Sequence, residues 1–351
     1  MSIMANPLEV GAEYPSAVDP FALSLNENPF PPLPAVRSAL IRSIDAANRY
    51  PEFLPDRLRR LIADHIGVAA DQVVLGAGAT GVVMQILRAL TIPGDTIVMT
   101  SPTFDGYPIF AQIARLVSVT VPLDEHGHHD LDAMADAAAT ARVVVLCRPH
   151  NPTGTLESVS EVIQFLRRVP SDTIVMLDEA YIEFVAPEHR IDAAALIARF
   201  PNVMVVRTFS KAYGLAGLRI GYGVGSAQLT TTVWTNQLPF GMGITSLAAV
   251  AACYAAEDQL LQRIKLISAE RRYLVRRLRA MGVYSTDAHA NFIYLPPQGW
   301  RWSEVFADAG LRVRCYADDG ARITVGSRAS TMAVLSAVAG RRADPSDLKV
   351  R

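Results

Sequence analysis

Lys211 stands in the run Thr208-Phe209-Ser210-Lys211-Ala212-Tyr213-Gly214-Leu215-Ala216-Gly217-Leu218-Arg219-Ile220-Gly221, between an apolar stretch and a string of small residues. Most lysines are solvated surface groups. An ammonium partly desolvated near another cation, here Arg219, loses basicity and becomes a nucleophile toward carbonyl carbon. Three further segments carry polar residues of matching chemistry. Asp178-Glu179-Ala180-Tyr181 follows the apolar Ile174-Val175-Met176-Leu177. A carboxylate at the end of a buried strand is costly without a partner, and a protonated ring nitrogen suits it; the plain alternative is a helix N-cap. Asn151-Pro152-Thr153-Gly154 offers an amide donor, unless it is an ordinary Asn-Pro turn. Gly76-Ala77-Gly78-Ala79-Thr80-Gly81 combines glycines, which let backbone approach an anion, with the start of a helix, whose free N–H groups bind phosphate.

The glycine segment also has the spacing of a dinucleotide fingerprint, so a nicotinamide or flavin enzyme competes as a reading. Against it, no acidic residue closes the following strand at the expected distance, because Asp95 arrives early in the turn Pro93-Gly94-Asp95. That reading also leaves Lys211, Asp178 and Arg219 without a task. Together, an anion loop, a buried aspartate, an amide and an isolated lysine fit one ligand. It is a phosphorylated pyridine aldehyde, bound covalently by the lysine and held at its ring nitrogen by the aspartate.

Such groups must be gathered by the elements that carry them. Apolar runs at 72–75, 96–100, 117–121, 143–146, 173–177 and 203–207 lack strict alternation, as expected of strands buried on both faces of a mainly parallel sheet. Helical stretches separate several of them, including 82–90, so the fold class is α/β. In open parallel sheets ligands bind beyond the carboxyl ends of the strands, and all four polar segments follow such a strand. Leu58, Leu61, Ile62 and His65 share a helical face that Gly67 ends.

After about Gly243 the pattern changes. Helices are expected at 247–256 and 258–281, the second with an apolar stripe of Leu261, Ile264, Leu274 and Leu278 and a stop at Gly282. Strands at 291–295, 311–316 and 322–325 and helices at 302–309 and 331–339 complete a smaller α/β domain. The expected organisation is an N-terminal arm at 1–33, a large domain at 34–243 and a small C-terminal domain at 244–351. The arm is proline-rich, cannot bury a face of its own, and reads as laid over something else.

Composition agrees. The 351 residues, 50% of them apolar, support a large core and about two domains. With 33 basic against 34 acidic side chains, the net charge of -1 argues against a polybasic nucleic-acid or membrane-surface binder. Cys147, Cys253 and Cys315 are too few and scattered for a disulfide scaffold or a zinc site. The small-apolar stretch 247–256 falls short of the roughly 18 residues of a membrane span, and the first residues lack a secretion signal. The expectation is a cytoplasmic enzyme acting on small molecules.

The ordered series Asn26-Glu27-Asn28-Pro29-Phe30, Arg49-Tyr50-Pro51, Asn151-Pro152-Thr153-Gly154, Asp178-Glu179-Ala180-Tyr181 and Ser210–Gly221 resembles the fold type I pyridoxal-phosphate aminotransferases. Within them it is most similar to the histidinol-phosphate and aromatic amino acid branch. The likeness runs from Leu25 to Gly326. It implies a large domain with a mainly parallel sheet of the seven-stranded type between helices, and a smaller α/β C-terminal domain. It implies pyridoxal 5'-phosphate as cofactor, with Lys211 as the covalent attachment point and mover of the substrate proton. Asp178 would hold the pyridine nitrogen, Tyr181 and Asn151 would donate to the phenolic oxygen, and Phe104 would stack on the ring. The backbone of Gly78, Ala79 and Thr80, with Ser210 and Arg219, would hold the phosphate. Tyr50 would reach the phosphate of the neighbouring subunit, which makes the enzyme a homodimer with shared active sites.

At the substrate, the resemblance places Arg322 on the α-carboxylate, Arg314 toward the side-chain end, and Asn28 and Asn151 close by. A planar guanidinium fork suits a carboxylate better than an ammonium does. The sequence departs from the family pattern in three places. Gly78-Ala79-Thr80-Gly81 lacks the two acids usual there, Asn28-Pro29-Phe30-Pro31-Pro32 loses a glycine, and the loop from Arg314 to Arg322 is short. Tyr14 only loosely matches the tyrosine near the substrate's phosphate. The implied reaction moves an amino group from an L-amino acid, histidinol phosphate or an aromatic one, to a 2-oxo acid such as 2-oxoglutarate. A lyase or decarboxylase of a phosphorylated amino acid is the alternative on the same residues. A ligand-sensing module would need a fused DNA-binding segment, and none is visible.

Overall fold

Runs of Val, Ile, Leu and Met without polar alternation become the central strands of a seven-stranded sheet in the computed structural model, which describes residues 16–340. Tyr14 lies outside the described residues. Along the chain the strands are β1 (Ala22–Leu23), β2 (Val73–Ala77), β3 (Thr96–Ser101), β4 (Val117–Pro122), β5 (Val143–Cys147), β6 (Ile174–Asp178), β7 (Val203–Thr208), β8 (Ile220–Gly225), β9 (Phe292–Leu295), β10 (Arg312–Cys315) and β11 (Ala321–Thr324). The large sheet has the order β2-β8-β7-β6-β5-β3-β4. Its members β4, β3, β5, β6 and β7 pair in parallel, and β8 runs antiparallel to both β2 and β7.

Successive residues of the central strands serve opposite cores, as the pleat requires. Val144, Leu146, Val175 and Leu177 enter one hydrophobic cluster, and Val143, Val145, Ile174 and Met176 enter the other. Both faces are therefore covered, which explains why the sequence shows no alternation there. The helix Gly78–Leu90 begins at Gly78 itself rather than at residue 82, because β2 runs straight into it. The dinucleotide reading of this turn fails on topology. Among the described residues β2 pairs only with the reversed β8, whereas a dinucleotide fold continues through a crossover to a neighbouring parallel strand.

A second sheet has the order β1-β10-β11-β9, with β1 parallel to β10 and the other pairs antiparallel. Its own core gathers Leu23, Leu274, Leu278, Ile293, Leu295, Trp302, Phe306 and Val334. Ala22 and Leu23 of the arm thus form an edge strand of this sheet. The long helix Glu257–Ala280 buries Leu260, Ile267, Leu274 and Leu278, while Leu261 is 46% exposed. The stripe is set by the seven-residue spacing of Leu260, Ile267 and Leu274, and Leu261 lies about 100° further round the helix. Among the described residues no helix is long and apolar enough to cross a membrane.

Candidate active site

The ends of β2, β5, β6 and β7 converge with β11 of the small sheet. At the first of these ends, the helix Gly78–Leu90 has no side-chain cap at Ala77, so its leading N–H groups face outward. Gly78 has φ +73, and a Cβ placed on it would lie 2.3 Å from Arg219 Nη2. The guanidinium therefore lies over the helix start, a position only glycine permits. Arg219 donates through Nη1 to Ala216 O at 2.9 Å and sits 3.4 Å from both Ala77 O and Thr80 Oγ1. Gly221 of β8 allows the same close approach from beneath, since a Cβ there would meet Ala79 N at 2.3 Å. Buried Ser210, hydrogen-bonded to Thr208 Oγ1 at 2.9 Å, follows β7. A helix N-terminus, a guanidinium and the hydroxyls of Thr80 and Ser210 make an anion site of phosphate type.

Lys211 follows directly and donates from Nζ to Leu25 O at 2.8 Å, with Nζ 5.9 Å from the Tyr181 ring centroid. Burial, joined by the cations of Arg322 and Arg219, brings its pKa down to about 8, against the opposing pull of Glu27 and Asp178. Asp178 ends β6 and is buried. Its Oδ1 accepts from Ala180 N at 2.9 Å and its Oδ2 from the Tyr107 hydroxyl. Burial raises its pKa above the usual carboxylate range, although those two donors and Lys211 pull it down. The carboxylate lacks a full cationic partner, which is what a protonated ring nitrogen supplies.

The hydroxyl of Tyr181 accepts from Asn151 Nδ2 at 3.2 Å and from Asn26 Nδ2 at 3.0 Å. Burial pushes its pKa up, so it remains a neutral O–H donor. Arg322 on β11, 6% exposed, donates to Asn151 Oδ1 and to Ser24 O, each at 2.5 Å. Its Nε is buried without a hydrogen-bond partner, the state expected of an arginine awaiting a carboxylate. Arg314 lies opposite Arg322 in the β10–β11 ladder and pairs with Asp105 Oδ2 at 3.0 Å. Phe104 stands in the loop after β3, edge-on to Tyr107 at 5.5 Å.

Two further expected residues lie in the arm and at the surface. Asn28 spends its amide on Lys211 O at 3.2 Å and Ala212 O at 2.9 Å, and its Oδ1 accepts from Phe30 N, so it ties the arm to the lysine loop. Tyr50 is 82% exposed and packs on Phe240 at 4.8 Å, away from the site of its own chain. Three residues escaped the sequence reading. Asn26, at φ +56, reaches Tyr181 from the arm; Tyr107 holds Asp178; Asp105 neutralises Arg314. Of these, Asn26 stands in the quoted run Asn26–Phe30, whereas nothing in the spacing marks out Tyr107 or Asp105.

The chain matches the family model for aminotransferases of class I and II over residues 18–335. The chain belongs to the class I and II aminotransferases. An aromatic amino acid aminotransferase of Cutibacterium acnes is 41% identical over 307 residues, 87% of each chain. One of Streptomyces avermitilis is 41% identical over 310 residues, 87% of this chain and 86% of the relative. The crystal structure of a histidinol-phosphate aminotransferase from Sinorhizobium meliloti in complex with pyridoxal-5'-phosphate superposes with a TM-score of 0.84 at 27% identity, covering 92% of this chain and 89% of that one.

This aminotransferase is a pyridoxal-phosphate enzyme and carries out transamination. The residues fit the cofactor: the glycine cradle under Arg219 suits its phosphate, and the under-compensated Asp178 suits its ring nitrogen. When bound, pyridoxal phosphate supplies a ring that withdraws electrons from the substrate α-carbon, so that an amino group passes between an amino acid and a 2-oxo acid.

Proposed function

We propose that this aminotransferase takes aromatic L-amino acids as donors and a 2-oxo acid such as 2-oxoglutarate as acceptor, as a homodimer in the cytoplasm. The observation that carries the donor class is the pairing of Arg314 with Asp105. The arginine aimed at the substrate's side chain already has a carboxylate, so that end of the pocket is balanced without an anionic donor. The names of the Cutibacterium and Streptomyces relatives support the same class.

In this reading Lys211 holds the cofactor and, once released, carries the proton at the substrate α-carbon, for which a pKa of about 8 is well placed. Asp178 keeps the ring nitrogen protonated, Tyr181 and Asn151 donate to the phenolic oxygen, Phe104 covers one ring face, and Gly78, Ala79, Thr80, Ser210 and Arg219 hold the phosphate. Arg322 takes the α-carboxylate, with Asn151 fixing its fork. Tyr50 serves the partner's phosphate, and its exposed cluster with Phe53, Phe240 and Leu238 supports a subunit contact there.

Spectral titration of the holoenzyme tests this. Phenylalanine and tyrosine should each convert the lysine-bound aldehyde form of the cofactor to its amine form, at far lower concentration than histidinol phosphate. The reverse order would overturn the aromatic reading, and release of carbon dioxide without formation of an amine acceptor product would overturn transamination at this site.

A further inference from the structure

We propose that Asp105 is a displaceable counterion of Arg314, which lets one side-chain pocket hold an uncharged aromatic donor in one half-reaction and a dicarboxylate acceptor in the other. This rests on the aromatic reading above. A transaminase passes both substrates through the same pocket. An unpaired arginine there would be desolvated by an aromatic ring at a cost, and a pocket with no cation would reject the distal carboxylate. A pair that opens meets both demands.

The geometry has the parts for it. Arg314 and Arg322 are directly opposed in the β10–β11 register, so their side chains lie side by side on one face of the small sheet. The two arginines differ in commitment. Arg322 is buried and bonded to Asn151 and Ser24 O, whereas Arg314 is 46% exposed at its side chain and Asp105 is 49% exposed. Asp105 follows Phe104 and precedes the helix Gly106–Ile113, yet its carboxylate makes no capping bond to that helix. Its partner is Arg314, which also lies 5.6 Å from the Tyr316 ring. The pair therefore bridges the loop after β3 and the small sheet beside Arg322. A half-exposed ion pair is worth about fivefold in an equilibrium at most, so it opens cheaply. An incoming carboxylate replaces Asp105 as a two-oxygen partner of the guanidinium, and the charge at Arg314 stays balanced throughout.

Calorimetry on the holoenzyme with glutarate and 3-phenylpropanoate tests the idea, because neither ligand carries an amino or oxo group to react. Asp105→Asn should tighten glutarate roughly three- to fivefold and weaken 3-phenylpropanoate, whose ring would then desolvate an unpaired Arg314. Arg314→Gln should weaken glutarate about tenfold or more, and in that background Asp105→Asn should lose its effect. Equal shifts for both ligands in Asp105→Asn, or persistence of its effect without Arg314, would overturn the counterion role. Failure of the underlying reading looks different: the wild-type enzyme would then convert glutamate but neither phenylalanine nor tyrosine in the spectral titration.

Discussion

Replacing Gly78 by alanine separates the phosphate site from the rest of the molecule. The new Cβ would lie 2.3 Å from Arg219 Nη2 and 3.0 Å from its Cζ, so the guanidinium must leave its place over the helix start. A phosphate then loses one charge-assisted hydrogen bond, about 1.5–3 kcal/mol, which is a loss of affinity of roughly 10- to 150-fold. The φ of +73 adds a separate cost of about 1–2 kcal/mol, since an L side chain strains in the left-handed region. That cost falls on folding and not on binding, and shows as a melting temperature lower by a few degrees. The assay compares the affinity of the apoenzyme for pyridoxal phosphate with its affinity for pyridoxal, which has no phosphate. Gly78→Ala should weaken the first by the stated factor and spare the second. Equal losses for both, or no loss for pyridoxal phosphate, would refute the argument that Gly78 exists to seat Arg219 against an anion.

Four other outcomes follow from the same geometry. Lys211 sheds its proton near pH 8, so capture of pyridoxal phosphate by the apoenzyme should accelerate as pH rises through 8 and then level off; a rate still climbing steeply at pH 10 would mean an ordinary lysine. Tyr107→Phe removes a donor to Asp178 and raises that carboxyl further, so the acid limb of the pH–rate profile should move to higher pH, while an unmoved limb would make Tyr107 mere packing. Arg322→Lys keeps charge but loses the fork, and KM for both amino donor and oxo acceptor should rise roughly 10- to 100-fold, with a rise for one alone counting against an α-carboxylate contact. Tyr50→Ala should weaken both subunit association in sedimentation and cofactor retention, and a stable dimer with unchanged cofactor affinity would remove Tyr50 from the shared site.

Much of this was legible because the pattern and the chemistry coincide. The central strands are buried on both faces, so their apolar runs are unbroken, and each polar segment begins where a strand stops. What stayed hidden had physical reasons. β8 reads Ile220-Gly221-Tyr222-Gly223-Val224-Gly225, and its glycines imitate a loop, although Gly221 is there to let Ala79 come close. β1 is two residues long and is held by a strand distant in sequence. Tyr107 is a buried aromatic on a helix and looks like any core residue until its hydroxyl is seen on Asp178. Asp105 is a half-exposed acid whose meaning depends on a partner in the other sheet. The slip from Leu260 to Leu261 shows that a helical stripe is decided by what lies opposite it.

The arm has a consequence for how the enzyme is made. Ser24, Leu25 and Asn26 meet Arg322, Lys211 and Thr324 in turn, and two of those contacts span 298 positions of chain. During synthesis the large sheet can close once β8, ending at Gly225, has left the ribosome, and with it the phosphate seat and Asp178. The arm must wait, tethered to the large domain through Leu25, Asn26 and Asn28, until β10 and β11 emerge. The cofactor end of the site is therefore finished well before the substrate end. On the proposed site assignment, a nascent chain would hold its cofactor end before it could grip an amino acid, and catalysis would await the last strand and the partner subunit.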